Sequence, residues 1–323
     1  MLLTLTLTLV LAAQTAHTKP PAGDALPIQV MLDRAGFSPG AIDGQMGRNT
    51  QQALEQYKSQ GGDPAAVPQD AVTKYAITAE DVNGQYEPAL PTDLMAQSKL
   101  PALAYRSPIE AIAERFHTTP KLLQRLNPSA KFNEGEEISV PNVEPFVLPV
   151  ERPRAATDSS GTAAPKPAAT SGRSDAPGTK AATPAKPDVV VTVSKSSSSL
   201  TVKDADGKML LYAPVTTGSE HDPLPIGEWK VNGVQYNPKF HYNPDLFWDA
   251  NPSHSKAEIA AGPNNPVGVV WIDISKPHYG LHGTPEPEAI GHVESHGCVR
   301  LTNWDAIKLA SLVKPGTPVI FTE

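Results

Sequence analysis

Apolar positions change their spacing more than once along this chain. Ile28, Met31, Leu32 and Ala35 recur at helical intervals, and Gly36 follows where a helix C-terminus takes a glycine. Phe37-Ser38-Pro39-Gly40 turns the chain, and Asp43-Gly44 with Gly47 makes a tight loop. Asn49 or Thr50 is placed to cap a second helix with Ala53, Leu54 and Tyr57 on its apolar face. Residues 61–104 carry little pattern: Thr78-Ala79-Glu80-Asp81 opens a short helix, and Pro88, Pro91 and Pro101 break the rest. Helical spacing returns with Ile109, Ile112, Ala113 and Phe116, then with Leu122, Leu123 and Leu126 behind Pro120, stopped by Asn127-Pro128. Phe132, Gly135, Ile138 and Val140 give a turn and a strand.

Composition shifts at 146. Residues 146–187 are Pro, Ala, Thr and Ser with scattered charges, too poor in large apolar groups to offset the entropy of ordering. They read as a flexible tether whose coil dimensions give a mean reach of roughly 35 Å. From 188 the spacing shortens to that of strands: 188–193, 200–202, 208–216 after the Asp206-Gly207 turn, 228–234 and 267–274, then Leu281-His282-Gly283. Residues 303–313 form the one clear helix of this half, and 318–322 close it as a strand. Many short strands with turn residues between them predict a mostly β domain.

A chain of 323 residues should hold two or three domains. Its formal net charge of −7, without a basic stripe, argues against nucleic acid as the main partner. Residues 2–13 are apolar and uncharged and end in small residues, the length of a secretory leader core and too short to span a bilayer. Residues 1–16 are therefore expected to be a signal peptide, which places the protein in the periplasm or cell envelope. The other reading is a buried first strand, since Thr alternates with Leu from 3 to 9.

The single cysteine, Cys298, cannot form an internal disulfide. A lone Cys is most often core filler, yet this one is flanked by Ser295, His296, Gly297 and Arg300. Gly297 lets the backbone turn tightly, and neighbouring imidazole and guanidinium groups are expected to favour the thiolate. His282-Gly283 followed by Ser295-His296-Gly297-Cys298 resembles the active-site signature of L,D-transpeptidases of the YkuD type. Leu224-Pro225-Ile226-Gly227-Glu228-Trp229, the 261–266 segment and Trp271-Ile272-Asp273 extend the resemblance, which covers 188–323.

The resemblance implies a β-sandwich-like catalytic domain under a lid. Cys298 is then the nucleophile and His282 the base, with the Gly283 carbonyl orienting the ring. Backbone N–H groups at Gly297 and Cys298 form the oxyanion hole, and Ser295, His296 and Arg300 support the loop. Arg300 is the group to meet a substrate carboxylate, although pure structural support remains open for it and for His296. No cofactor or metal is implied. Partners are peptidoglycan stem peptides and glycan, an envelope lipoprotein as one class of acceptor, and β-lactams, carbapenems above all, as inhibitors.

Upstream, Asp43-Gly44-Gln45-Met46-Gly47-Arg48-Asn49-Thr50 resembles the signature of small helical peptidoglycan-binding domains, over 25–85. Residues 95–145 resemble an α/β LysM-like module, with Arg106-Ser107-Pro108 in place of the usual opening. Rival readings are an L,D-carboxypeptidase with water as acceptor, a zinc-dependent wall peptidase using His282, His292, His296 and Cys298, a wall anchor without activity, and a cysteine protease on ordinary proteins. His292 is expected at the surface, and Asp273 and Tyr279 are candidates to line the cleft.

Overall fold

The computed structural model describes residues 25–148 and 188–323. The leader (1–16) and the tether from 149 to 187 lie outside the described residues. Helix α1 (Leu26–Arg34) ends through Ala35 into Gly36 at φ 81°. Helix α2 (Arg48–Ser59) has Gly47 as its N-cap and no side-chain cap, so the expected capping by Asn49 or Thr50 is corrected. Asn49 instead donates to the Ile290 carbonyl at 2.9 Å. Thr50 is buried and takes a hydrogen bond from Gln29 at 3.1 Å, which also holds Asp43 at 2.8 Å.

Strand β1 (Val72–Ala76) lies in the stretch whose pattern was silent. Helix α3 (Ala79–Asn83) begins with a reciprocal cap between Thr78 and Asp81. Asp93 caps α4 (Leu94–Gln97), Ser107 caps α5 (Pro108–Arg115) and Thr119 caps α6 (Pro120–Leu126). Strand β2 (Glu137–Pro141) pairs antiparallel with β1, Val72 opposite Pro141 and Ala76 opposite Glu137. This ladder crosses the boundary drawn between residues 85 and 95. Leu26, Val30 and Ile42 share one buried cluster with Ile112, Phe116, Leu123 and Ile138, so 25–148 packs around a common core.

The second half contains β3 (Val189–Ser194), β4 (Ser199–Asp204), β5 (Met209–Pro214), β6 (Gly227–Tyr236), β7 (Phe240–Tyr242), β8 (Ala257–Ile259), β9 (Val270–Ile274), β10 (Gly280–His282), β11 (Val299–Arg300), α7 (Asn303–Leu312) and β12 (Pro318–Thr322). Eight strands form one mixed sheet in the order β11-β10-β9-β6-β12-β3-β4-β5, and β7 pairs with β8 apart from it. The sheet curls until its ends meet: just past β5, Thr216 exchanges both backbone hydrogen bonds with Arg300 of β11, at 3.0 and 2.9 Å. The expected β-sandwich is corrected to this single curled sheet. Alternating polarity reports that one face of a strand is buried, not whether a second sheet or the same sheet covers it. Val193, Leu200, Val202, Ile272, Leu281 and Val299 fill the buried side together with Ala306 and Leu309 of α7. Burial of each large aliphatic group there is worth roughly 1.5–3 kcal/mol.

The N-terminal half is docked on this sheet. Residues 36–38 run beside β5: Tyr212 N–H donates to the Gly36 carbonyl at 2.9 Å, and Ser38 N–H to the Tyr212 carbonyl at 2.8 Å. Leu103 donates to Ala261 and accepts from Asn264, both at 3.0 Å. Gly262 makes that approach possible, since a Cβ there would lie 2.2 Å from the Leu103 oxygen. Phe146, placed by composition at the start of the tether, is buried in the main sheet cluster, so the chain is still anchored at that point.

Candidate active site

The register of the sheet assembles the site. Strands β9, β10 and β11 bring Trp271, His282 and Arg300 level with one another, and Leu281 level with Val299. Cys298, one residue before β11, therefore falls level with Gly280. Side chains alternate between faces and directly opposed residues share one, so Cys298, His282 and Arg300 lie together on the face opposite the core residues Ile272, Leu281 and Val299. Gly280 keeps this corner open, because a Cβ there would meet the Trp271 ring at 2.5 Å.

His282 is buried, and its Nδ1 is 2.7 Å from the carbonyl oxygen of Gly283. With that nitrogen donating, Nε2 keeps its lone pair and can accept a proton. Trp271 stacks on the imidazole at 5.5 Å and 18°, fixing the plane of the ring. The Cys298 thiol donates to the His278 carbonyl at 3.8 Å. His278 itself holds φ 67°, a left-handed conformation that a non-glycine residue keeps only at a cost. Gly297, at φ 100°, packs against Tyr279, whose ring a Cβ would reach at 2.6 Å.

Electrostatics corrects the expected thiolate. Burial pushes the Cys298 thiol up, against a hydrogen bond from the Gly280 backbone and the Arg300 charge. Burial also pushes His282 down to about 3, helped by Arg300 and opposed by the Gly283 carbonyl. Burial thus favours the uncharged form of both the thiol and the imidazole on this face. Such a pair can attack a carbonyl if the imidazole takes the proton as the sulfur bonds.

The remaining expected residues are distributed around the pair. Ser295 is buried and its hydroxyl donates to the Cys298 carbonyl at 2.5 Å, while its N–H donates to Thr217 at 2.9 Å. Ser295 thereby knits the loop. The His296 Nε2 is 2.8 Å from an Asp249 carboxylate oxygen, and its ring packs edge-on against Phe247 at 5.0 Å. Arg300 forms no ion pair among the described residues. The N–H groups of Gly297 and Cys298 have no acceptor among the described residues. His292 is exposed, as expected, and no three His, Cys, Asp or Glu side chains among the described residues come close enough to hold a metal ion. Asp273 is exposed, accepts from Asn232 at 2.9 Å and stands opposite Gly280, on the face that carries Cys298, and Tyr279 lies against Gly297.

Sequence reasoning missed Asp249, His278 and Asp222. One Asp222 carboxylate oxygen is buried without a hydrogen-bond partner among the described residues, and the Asp222 charge raises Tyr279, after burial as the larger cause. No local pattern marks Asp249, which meets His296, or His278, whose carbonyl takes the Cys298 thiol.

The sequence profile of the L,D-transpeptidase catalytic domain matches residues 188–321. YqjB of Bacillus subtilis, named for L,D-transpeptidase activity, is 31% identical over 142 residues, 42% of this chain and 72% of that protein. The chain belongs to the L,D-transpeptidase family. YkuD of the same organism is 33% identical over 129 residues, 40% of this L,D-transpeptidase-family chain and 63% of YkuD. YkuD of Bacillus licheniformis is 48% identical over 60 residues, 19% of the chain and 36% of that protein. The chain thus spans less than two thirds of either YkuD protein. L,D-transpeptidase 3 from Mycobacterium tuberculosis, solved with a faropenem-derived adduct, overlays with a TM-score of 0.35 at 22% identity, covering 42% of this chain and 61% of that one.

Proposed function

We propose that this family member is a peptidoglycan L,D-transpeptidase. Cys298 attacks the carbonyl of the third residue of a tetrapeptide stem while His282 Nε2 takes the thiol proton. The C–N bond to the terminal D-alanine breaks, and His282 returns the proton to the leaving amine. A thioester on Cys298 remains. An acceptor amine gives its proton to His282 and bonds to the carbonyl; the sulfur leaves and takes that proton from His282 as a thiol, forming a 3-3 cross-link. The Gly297 and Cys298 N–H groups hold the oxyanion, and Arg300 meets a stem carboxylate bidentately. The observation that carries this reading is the shared sheet face of Cys298 and His282, with the Gly283 carbonyl bound to Nδ1.

The same thioester serves other acceptors: water makes the chain an L,D-carboxypeptidase, and a protein amine attaches an envelope lipoprotein. The resemblance of 25–85 and 95–145 to wall-binding modules supports work in the envelope with peptidoglycan held close by. A thiol poised for acyl transfer should also open carbapenems, leaving a Cys298 adduct heavier by the intact drug.

Mass spectrometry of muropeptides after incubation with tetrapeptide-containing wall fragments tests the reading. Cross-linked products with loss of one D-alanine are expected, and Cys298→Ala should lower turnover by roughly 10³-fold or more. Full turnover by Cys298→Ala, or activity removed by a chelator and restored by zinc, would overturn it.

A further inference from the structure

The N-terminal half touches the support of the histidine. Asn303, the first residue of α7, is fully buried. Its Oδ1 accepts from the Val269 N–H at 3.1 Å, and its Nδ2 donates to Glu114 Oε1 at 2.7 Å and to the Pro263 carbonyl at 3.3 Å. Glu114 sits on α5, 189 residues earlier in the chain. It is buried too, and the Tyr105 hydroxyl donates to its other oxygen.

The Asn303 carboxamide presses on the backbone that carries the orienting carbonyl. A Cβ on Gly283 would lie 2.1 Å from Asn303 Oδ1, and so would a Cβ on Gly268. Gly268 has φ 62° and packs on Gly283 in turn, its added Cβ reaching the Gly283 carbonyl carbon at 2.6 Å. The Gly283 N–H donates to Val270 at 3.2 Å. The Gly283 backbone is thus held between Asn303 and Gly268 on one side and the His282 ring on the other.

An amide side chain is free to rotate about its last torsion unless its partners choose a direction. Here the Val269 N–H demands an oxygen, while Glu114 and Pro263 demand a nitrogen. Of these, the Glu114 bond is the shortest, at 2.7 Å. Without it the carboxamide keeps the Val269 bond and one weak donor contact at 3.3 Å, and its seat on Gly283 is held less tightly.

We infer that Glu114 is a positioning residue for the catalytic histidine: it fixes the Asn303 carboxamide, which seats the Gly283 carbonyl and thereby sets the tautomer and tilt of His282. The inference rests on the reading of His282 as the base. It makes the N-terminal half part of the machinery, since the acceptor that locks Asn303 arrives only when α5 is docked.

The test uses the full chain carrying Glu114→Ala or Glu114→Gln, with thermal unfolding to confirm the fold. Turnover of tetrapeptide stems is measured as kcat and KM separately. Nitrogen-15 spectra of the His282 ring, assigned by difference against His282→Gln, report its tautomer. Glu114→Ala should lower kcat about tenfold with KM within about twofold, and should replace a fixed Nδ1–H pattern by a tautomer mixture. Glu114→Gln, which still offers a carbonyl oxygen to Asn303, should restore both. Unchanged kcat and ring shifts in folded Glu114→Ala, or a Gln variant as impaired as Ala, overturn the inference. Should Glu114→Ala not fold, Glu114→Met removes the acceptor at similar volume and is read by the same criteria. If the unaltered chain does not turn over stem peptides, the proposed function fails, and the ring shifts still decide the positioning role.

Discussion

Burial costs a thiolate and an imidazolium alike, and at Cys298 and His282 both charges are disfavoured for that reason first. Alkylation by iodoacetamide needs the thiolate, so its rate on Cys298 should rise about tenfold per pH unit from 6 to beyond 9. Acylation of Cys298 by a bound donor stem uses the neutral pair and should stay flat between about pH 4 and pH 9. An alkylation rate that levels off below pH 6 would mean an ion pair instead. Cys298, His282 and Gly283 were legible in the sequence because they lie in short, glycine-marked segments whose chemistry is local. The neutral state was not legible, since it depends on how much protein covers the sulfur. His278 and Asp249 were silent because a carbonyl direction and a loop contact leave no residue signature.

Helix α7 illustrates how an element can be predictable in extent and opaque in its contacts. Its span was foreseen to one residue, yet three of its first residues are devoted to the N-terminal half. Asn303 meets Glu114; Trp304 stacks on His117 at 5.2 Å and 5°; and Asp305 accepts from Ser38 at 2.8 Å and from Thr302 at 2.7 Å. Burial pushes Asp305 up to about 7, opposed by the Thr302 and Ser38 hydroxyls, with Asp33 and His117 also facing it. An acid whose value is raised by folding binds its proton more tightly in the folded state, so stability falls as pH rises from about 4 to about 7. Asp305→Asn has no such proton to lose. Its melting temperature relative to the unaltered chain should therefore climb by roughly 4 °C or more across that window, and a difference that stays level with pH would refute the assignment. Strands β1, β7 and β8 went unseen for a related reason: each is three to five residues long, so no period had room to develop, and β1 is stabilised by a partner far away in sequence.

At the scale of the whole molecule, the seams between the halves frame the site. Leu103 and the 90–100 stretch pack on Tyr242 and Ile259 of the β7–β8 hairpin, and Asp93 meets His254 at 2.8 Å. The segment between those strands carries Phe247 and Asp249 onto His296, so the N-terminal half braces the wall over the cleft as well as α7 beneath it. The third seam has a different kind of consequence. Residues 36–38 occupy the outer edge of β5, over a patch in which Met209 and Tyr212 are buried with Leu32 and Phe37. A fragment of residues 188–323 would present that strand with unpaired backbone groups and an apolar flank, a template for another copy of itself. Such a fragment should self-associate on concentration to about 100 µM while the full chain does not; light scattering that finds it monodisperse would show that the edge protects itself. The first glycine-ended helix of this protein would then serve as a guard against polymerisation, selected for what it prevents the sheet from joining.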